Sequence, residues 1–429
     1  MDKKEAVPLT IPATDQEPMA GSPGDAPGRR VTTTDRWLVR RSLELTGRPP
    51  LHIILWNGET ISACEGSPAV SLRLRTRRAL YRLASDPELH FGDLYSLGEI
   101  EVEGDLIQAL EIAYRAVAHA RQNAGRLKRL MNALFHRRPR SNTLDGSREN
   151  IHRHYDIGND FYRLWLDPEY MQYTCAYYAR PDMSLDQAQV AKMEHVCRKL
   201  NLKPGETVVE AGCGWGGLAR YMARHYNVHV RSYNISHQQV RYARERAEAE
   251  GLADRIEYVE DDYRNIEGEY DAFVSVGMLE HVGYDNYKQL GTVIDRCLKP
   301  EGRGLVHSIG RNKPELMNAW IEKRIFPGAY PPSLKEMMDI FEPWSLSVLD
   351  VENLRLHYAQ TLRHWLERYE RHADRVEAMF DRNFVRAWRL YLAGSVASFT
   401  TSSLQLFQIT FARRENTSLP WTRAHLYRD

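Results

Sequence analysis

The chain has 429 residues, 43% apolar and 27% charged, with 58 basic against 57 acidic side chains and a net charge of +1. That length predicts two or three domains, and the composition excludes a wholly disordered, collagen-like or low-complexity chain. The charge balance excludes a globally basic nucleic-acid binder, so no nucleic-acid partner is expected.

The first 32 residues, rich in Pro, Gly, Asp and Thr, read as a disordered tail. Residues 33–136 read as a small α+β domain associated with lipid or a membrane surface. LHIILW (51–56) is a predicted strand followed by the turn signal Asn57-Gly58, and VSLRLR (70–75) is a second strand. RRALYRLASDP then reads as a short helix. A long helical pattern follows from Leu106 to about Arg138, and its second half sets Arg121, Arg126, Lys128, Arg129, Arg137 and Arg138 among Leu127, Leu130, Met131, Leu134 and Phe135. Such a basic amphipathic helix is either a solvated linker or an attachment to anionic lipid headgroups. Residues 137–150 read as a flexible linker.

From residue 151 to the end, the pattern becomes that of a catalytic α/β domain. Predicted strands TVVEAG (207–212), VHVRSYNIS (228–236), RIEYVEDD (255–262), YDAFVSVG (270–277) and GRGLVHSIG (302–310) alternate with helices. That alternation predicts a Rossmann-like sheet with helices on both faces. After residue 311 the pattern is helical, notably over 357–380, and LQLFQITFAR (404–413) is a last strand returning to the sheet edge. The five cysteines are widely spaced with no CxxC pair, so neither a disulfide framework nor a structural metal is expected. No apolar run is long enough to span a bilayer, and the N-terminus lacks a signal-peptide pattern. The expectation is a cytoplasmic protein, peripheral on the inner membrane face.

The strongest local motif is Val208-Val209-Glu210-Ala211-Gly212-Cys213-Gly214-Trp215-Gly216-Gly217, a strand entering a glycine-rich turn before a helix. Glycine there permits positive φ and close approach of a ligand. The loop lacks the Gly-Lys-Ser/Thr of a phosphate-binding Walker loop and departs from the dinucleotide fingerprint. Glu210 suits a ligand with a positive ammonium group, such as S-adenosylmethionine, reached through backbone or water. In an open α/β sheet the ligand sits at the carboxyl ends of the strands. That adds Asn234 and Gln239 after the second strand, and Asp261, Asp262, Tyr263 and Arg264 after the third.

With HYDIGNDFYRLWLDPEYMQYTCAYY (154–178), VVEAGCGWGGLARYMA (208–223), VSVGMLEHVG (274–283), LKPEGRGLVHSIG (298–310), IEKRIFPGAYPPS (321–333) and LHYAQTLRHW (356–365), the chain resembles bacterial cyclopropane-fatty-acyl-phospholipid synthases and the related mycolic acid cyclopropane synthases. The resemblance spans roughly residues 90–413. It implies a class I methyltransferase sheet with helical lid insertions. It also implies transfer of the methyl of S-adenosylmethionine to a cis double bond of unsaturated phospholipid acyl chains, through a carbocation deprotonated by bound bicarbonate. The implied bicarbonate ligands are Cys175, Gly277, Glu280, His307, Ile309 and Tyr358. The implied cofactor contacts are Tyr173, Thr174, Gly212, Gly214, Gln239 and Asp262, beside Glu210, Gly216, Asn234 and Tyr263 from the strand-end reading.

An alkene is a weak nucleophile, so the reaction needs close alignment with the methyl donor. Aromatic faces can stabilise the cation, and Tyr155, Phe161, Tyr173, Tyr177, Tyr178 and Trp215 are candidates. Each residue also has a structural reading: Glu280 as a helix cap, His307 as a core histidine, Tyr358 as packing, Cys175 as a buried thiol, and His281 as structural. Tyr178, Ser232-Tyr233-Asn234, Ser308 and Glu210 depart from the commoner family residues. They leave the product open between a cyclopropane ring and a methyl or methylene branch, and methylation of a non-lipid small molecule is a further alternative. A homodimer is also left open.

Overall fold

The computed structural model describes residues 30–64, 68–122 and 157–427. Most of the predicted tail, the basic half of the 106–138 helix, the linker and Tyr155 fall outside them.

The N-terminal unit is a four-stranded sheet, β1 (Leu51–Ile54), β2 (Thr60–Ser62), β3 (Val70–Leu74) and β4 (Ile100–Glu103), in the order β2-β1-β3-β4. The Asn57-Gly58 turn joins β1 to antiparallel β2, with Gly58 at φ +87°. Helix Thr33–Leu45 starts in a capping box, in which Thr32 and Asp35 satisfy each other's backbone N–H groups. Helices Arg77–Ser85 and Pro87–Ser96 split at Asp86, whose side chain caps the second. Helix Leu106–Gln122 is the described part of the predicted long helix.

The second unit is a seven-stranded sheet. Its strands are β5 (Thr207–Ala211), β6 (His229–Asn234), β7 (Ile256–Glu260), β8 (Tyr270–Val276), β9 (Leu298–Gly310), β10 (Leu346–Asn353) and β11 (Gln405–Arg413), in the order β10-β11-β9-β8-β5-β6-β7. β5 through β9 run parallel, and β11 is antiparallel to both neighbours. This is the order of a class I methyltransferase sheet, and the predicted α/β class holds. One expectation is corrected: 404–413 does not form the edge. β10 covers β11, and β10 was not predicted because its Val348 and Leu349 are exposed and a bulge breaks its register. The predicted 357–380 helix is two helices, Arg355–Glu370 and Ala373–Met379.

Both faces of the parallel sheet are buried, which explains the continuous apolar runs. Val208, Val230, Ala272, Val274 and Leu305 pack on helices Leu185–Lys199, Gly217–Tyr226 and His237–Ala249. Val209, Phe273, Val306, Ile409 and Phe411 pack on helix Tyr287–Cys297. A separate, strongly aromatic core forms above the sheet from helices Arg355–Glu370 and Arg382–Thr400 and from residues 157–178. The N-terminal unit docks on this layer. Arg324 holds buried Asp93 through two 3.0 Å bonds, and the Arg386 guanidinium stacks on Tyr95 and bonds its carbonyl at 2.6 Å.

Candidate active site

Most of the named residues lie at the carboxyl ends of β5, β6, β7, β8 and β9, in two halves, while Tyr173, Thr174 and Cys175 come from residues 157–178 and Tyr358 from helix Arg355–Glu370. In the first, β5 leads into a turn where Gly212, Gly214 and Gly216 all have positive φ (+86°, +51°, +75°). Their surroundings differ. A Cβ on Gly214 would meet nothing within 4 Å, so this glycine faces open space. A Cβ on Gly216 would lie 2.5 Å from the Tyr258 hydroxyl and 2.6 Å from Ala243, so this glycine seats the loop on the sheet and its helix. A Cβ on Gly217 would likewise clash with the Tyr170 carbonyl oxygen.

Asn234, at the end of β6, donates to Gly214 O (3.1 Å) and to Gln239 Oε1 (2.8 Å), tying the two turns together. The Gln239 amide nitrogen is buried and has no protein acceptor. Asp262 accepts from Arg264 N (2.9 Å) and Arg264 Nη1 (3.0 Å). The Tyr263 hydroxyl beside it is buried without a partner, and burial pushes it up to about 12. Glu210 is buried under the loop, accepts from Ser232 Oγ at 2.7 Å, and is pushed up by burial to about 7. An orphan amide donor, an open glycine and a buried carboxyl suit a polar, positively charged ligand, so these residues fit S-adenosylmethionine.

The second half lies after β8 and β9. Gly277 (φ +77°) closes β8 and donates its N–H to the His307 carbonyl at 2.9 Å. The one-turn helix Leu279–Val282 then presents Glu280 to the end of β9, where Glu280 Oε1 accepts from Ile309 N at 2.5 Å. Its other oxygen, Oε2, is buried with no partner, and burial pushes the carboxyl up to about 7. Glu280 is therefore not a helix cap. His307 is 1% exposed, and burial holds it down to about 3. Gln408 Nε2 lies 3.0 Å from His307 Nδ1.

Tyr358 sits one turn into helix Arg355–Glu370, 4.7 Å from the Phe399 ring and 5.9 Å from Trp365 between centroids. Cys175 is fully buried, with Sγ 3.2 Å from Ala176 O, and burial raises its thiol far above the reactive range. An inert thiol leaves only the main chain of this segment to act. A buried carboxylate oxygen without a donor, on a carboxyl seated two residues along β9 from neutral His307, fits a small protonated oxyanion such as bicarbonate.

The two halves meet through Thr174 and Gly277. A Cβ on Gly277 would lie 2.9 Å from Thr174 Cγ2. Gly277→Ala must therefore strain both φ and this contact, and a loss of about 1–3 kcal/mol in urea unfolding is expected. Lys192, which the sequence reading missed, holds Thr174 in turn. It is fully buried, donates to Thr174 Oγ1 (3.0 Å) and to Gln172 Oε1, and burial lowers it to about 8. Tyr173 turns into the aromatic core, where its hydroxyl meets Tyr391 OH at 2.9 Å. Phe161 and Trp215 join the same core; Trp215 Nε1 donates to Asn159 Oδ1. Tyr177 and Tyr178 pack against this core and also stack on histidines, Tyr177 between His195 (4.2 Å) and His357 (4.9 Å). His281 lies 5.8 Å from Phe326, and burial lowers it to about 4, which suits its structural reading.

Residues 142–409 match the family model described as mycolic acid cyclopropane synthetase, and residues 39–124 match a domain of unknown function. A probable fatty acid methyltransferase of Pseudomonas putida is 35% identical over 398 residues, covering 88% of this chain and 96% of its own. A cyclopropane-fatty-acyl-phospholipid synthase of Escherichia coli (strain K12) is 41% identical over 261 residues, covering 61% of this chain and 66% of its own. The crystal structure of the mycolic acid cyclopropane synthase CmaA1 complexed with SAH and CTAB superposes with a TM-score of 0.59 at 28% identity, over 62% of this chain and 98% of its own.

Proposed function

The chain belongs to the mycolic acid cyclopropane synthetase family and is an S-adenosylmethionine-dependent methyltransferase acting on lipids; from that premise we propose that it methylates the cis double bond of unsaturated phospholipid acyl chains and closes a cyclopropane ring. S-adenosylmethionine supplies an electrophilic methyl, and bicarbonate supplies a base too weak a nucleophile to capture it. Gly212, Gly214, Asn234, Gln239 and Asp262, with Tyr173, Thr174, Glu210, Gly216 and Tyr263 around them, hold the methyl donor. Cys175, Gly277, Glu280, His307, Ile309 and Tyr358 hold the anion.

The observation that carries this reading is Glu280. Ile309 N occupies one carboxylate oxygen and leaves the other buried and free to accept a proton donor. As a carboxylate it would accept a hydrogen bond from a bound anion's O–H, and His307 and Tyr358 would supply hydrogen-bond donors to such an anion. The aromatic core around Phe161, Trp165, Tyr173 and Trp365 excludes water and offers ring faces to the developing carbocation.

Glu280 must be ionised for this role. Burial pushes its carboxyl up to about 7, so turnover is expected to rise as pH increases from 6 to 8, and this limb should vanish in Glu280→Gln. Initial rates across that range check it.

The same cation can lose a different proton after a hydride shift, giving a methyl- or methylene-branched chain. The P. putida relative, matched over most of both chains, is named as a fatty acid methyltransferase, which favours keeping this second reading. Incubation with S-adenosylmethionine and mono-unsaturated phospholipid vesicles, followed by gas chromatography–mass spectrometry with mild hydrogenation, separates the two. A product that gains CH₂ and resists hydrogenation is the ring; one that takes up hydrogen is the branched alkene.

Among the described residues no helix is long and apolar enough to cross a membrane. The basic, apolar-striped segment 121–138 supports peripheral contact with anionic headgroups on the inner membrane face.

A further inference from the structure

We propose that Gln408 is a positioning residue that locks His307 in the Nε2–H tautomer, so that the imidazole presents a hydrogen-bond donor to the site. The inference deepens the reading above, because it rests on His307 acting as a donor to the anion.

Gln408 and His307 are directly opposed residues of antiparallel β11 and β9. Both are buried, at 0% and 1% exposure. The Gln408 amide nitrogen lies 3.0 Å from His307 Nδ1. An amide nitrogen only donates, so Nδ1 must accept, and the single proton of a neutral imidazole is left on Nε2. The ring stays neutral here. Burial disfavours the imidazolium, Lys192 and Lys199 repel it, and Glu352 alone opposes them. Glu352 is itself engaged by His195 Nε2 (2.7 Å) and Lys199 Nζ (2.6 Å).

The placement of Gln408 is costly in any other role. Its strand neighbours Leu406, Phe407 and Ile409 are buried and apolar, and its own Oε1 has no protein donor. A buried amide left half-satisfied costs on the order of 1–3 kcal/mol. A side chain that only filled space here would be apolar. The contact to Nδ1 is the one hydrogen bond this amide makes among the described residues.

The test is the tautomer itself, read by long-range ¹⁵N–¹H NMR of the full chain labelled at histidine. The His307 signal is assigned by its loss in His307→Gln. The expected result is a pyridine-type Nδ1 and a pyrrole-type Nε2 in the protein without lipid. In Gln408→Met, which keeps the shape and deletes the donor, the single tautomer should give way to a mixture. kcat should then fall about 10- to 100-fold, the usual size of an orienting contact, with KM for S-adenosylmethionine unchanged. A proton on Nδ1 in the unmodified protein overturns the proposal, as does a Gln408→Met protein that keeps both the tautomer and kcat. If Gln408→Met fails to fold, the unmodified protein's spectrum still decides. The tautomer is read without turnover, so a branched product or an absent ring would overturn the proposed function without touching this result.

Discussion

Glu280→Gln is expected to lower kcat by about 10²–10³-fold while making the folded protein more stable at pH 8. The first effect follows from exchanging an acceptor oxygen for an amide donor at the free position of the carboxyl. The second follows from its raised titration. Folding lifts this carboxyl from its ordinary value of 4.5 to about 7, so the folded state holds the proton more tightly than the unfolded chain does. The favourable contribution is complete below pH 4.5 and is lost as pH rises through 7. Above that, ionised Glu280 costs up to about 3 kcal/mol relative to a neutral group. Urea midpoints at pH 8 should therefore rise in Glu280→Gln, with the difference shrinking towards pH 5. S-adenosylmethionine affinity should stay unchanged, because the carboxyl lies in the other half of the site. Full activity in the variant would remove Glu280 from the mechanism; lowered stability at pH 8 would show that its burial is compensated.

Trp388→Ala should strongly destabilise the aromatic layer, costing about 3–5 kcal/mol. The indole is fully buried, stacked at 5.7 Å on Phe384 and edge-on to Phe161 (4.9 Å) and Tyr391 (5.2 Å). Its loss opens a void between helix Arg382–Thr400 and residues 161–165, inside the same buried layer that includes Tyr358. The midpoint of urea unfolding measures the effect, and Trp388→Phe should recover a large part of it by refilling the void. A cost near 1 kcal/mol would mean that the layer collapses around the gap.

The parallel strands were legible because burial on both faces writes them as apolar runs, and Gly251 and the glycine loop punctuate the helices between them. β10 was not, because an edge strand with one solvated face and a bulge carries no such run. The site was legible mainly through its resemblance. Glu280, His307 and Gly277 do converge at adjacent strand ends, as the strand order requires. Gly216, read as a cofactor contact, also packs against Tyr258 and Ala243, a role that depends on which neighbour fills the space and not on the glycine itself. Lys192 looks like any lysine in a helix. Gln408 left only a faint trace, one of two glutamines in the mostly apolar LQLFQITF, whose meaning appears only when β11 is laid against β9.

The aromatic layer gives the protein an optical signature of its own. The indoles of Trp165 and Trp365 lie 5.6 Å apart at 72°, and those of Trp165 and Trp388 lie 6.0 Å apart at 55°. Rings this close and this far from parallel couple their electronic transitions into a signed pair of circular-dichroism bands. Rotating any one ring changes the amplitude of that couplet. An acyl chain that enters among them would therefore report its own arrival in the spectrum, without label or turnover.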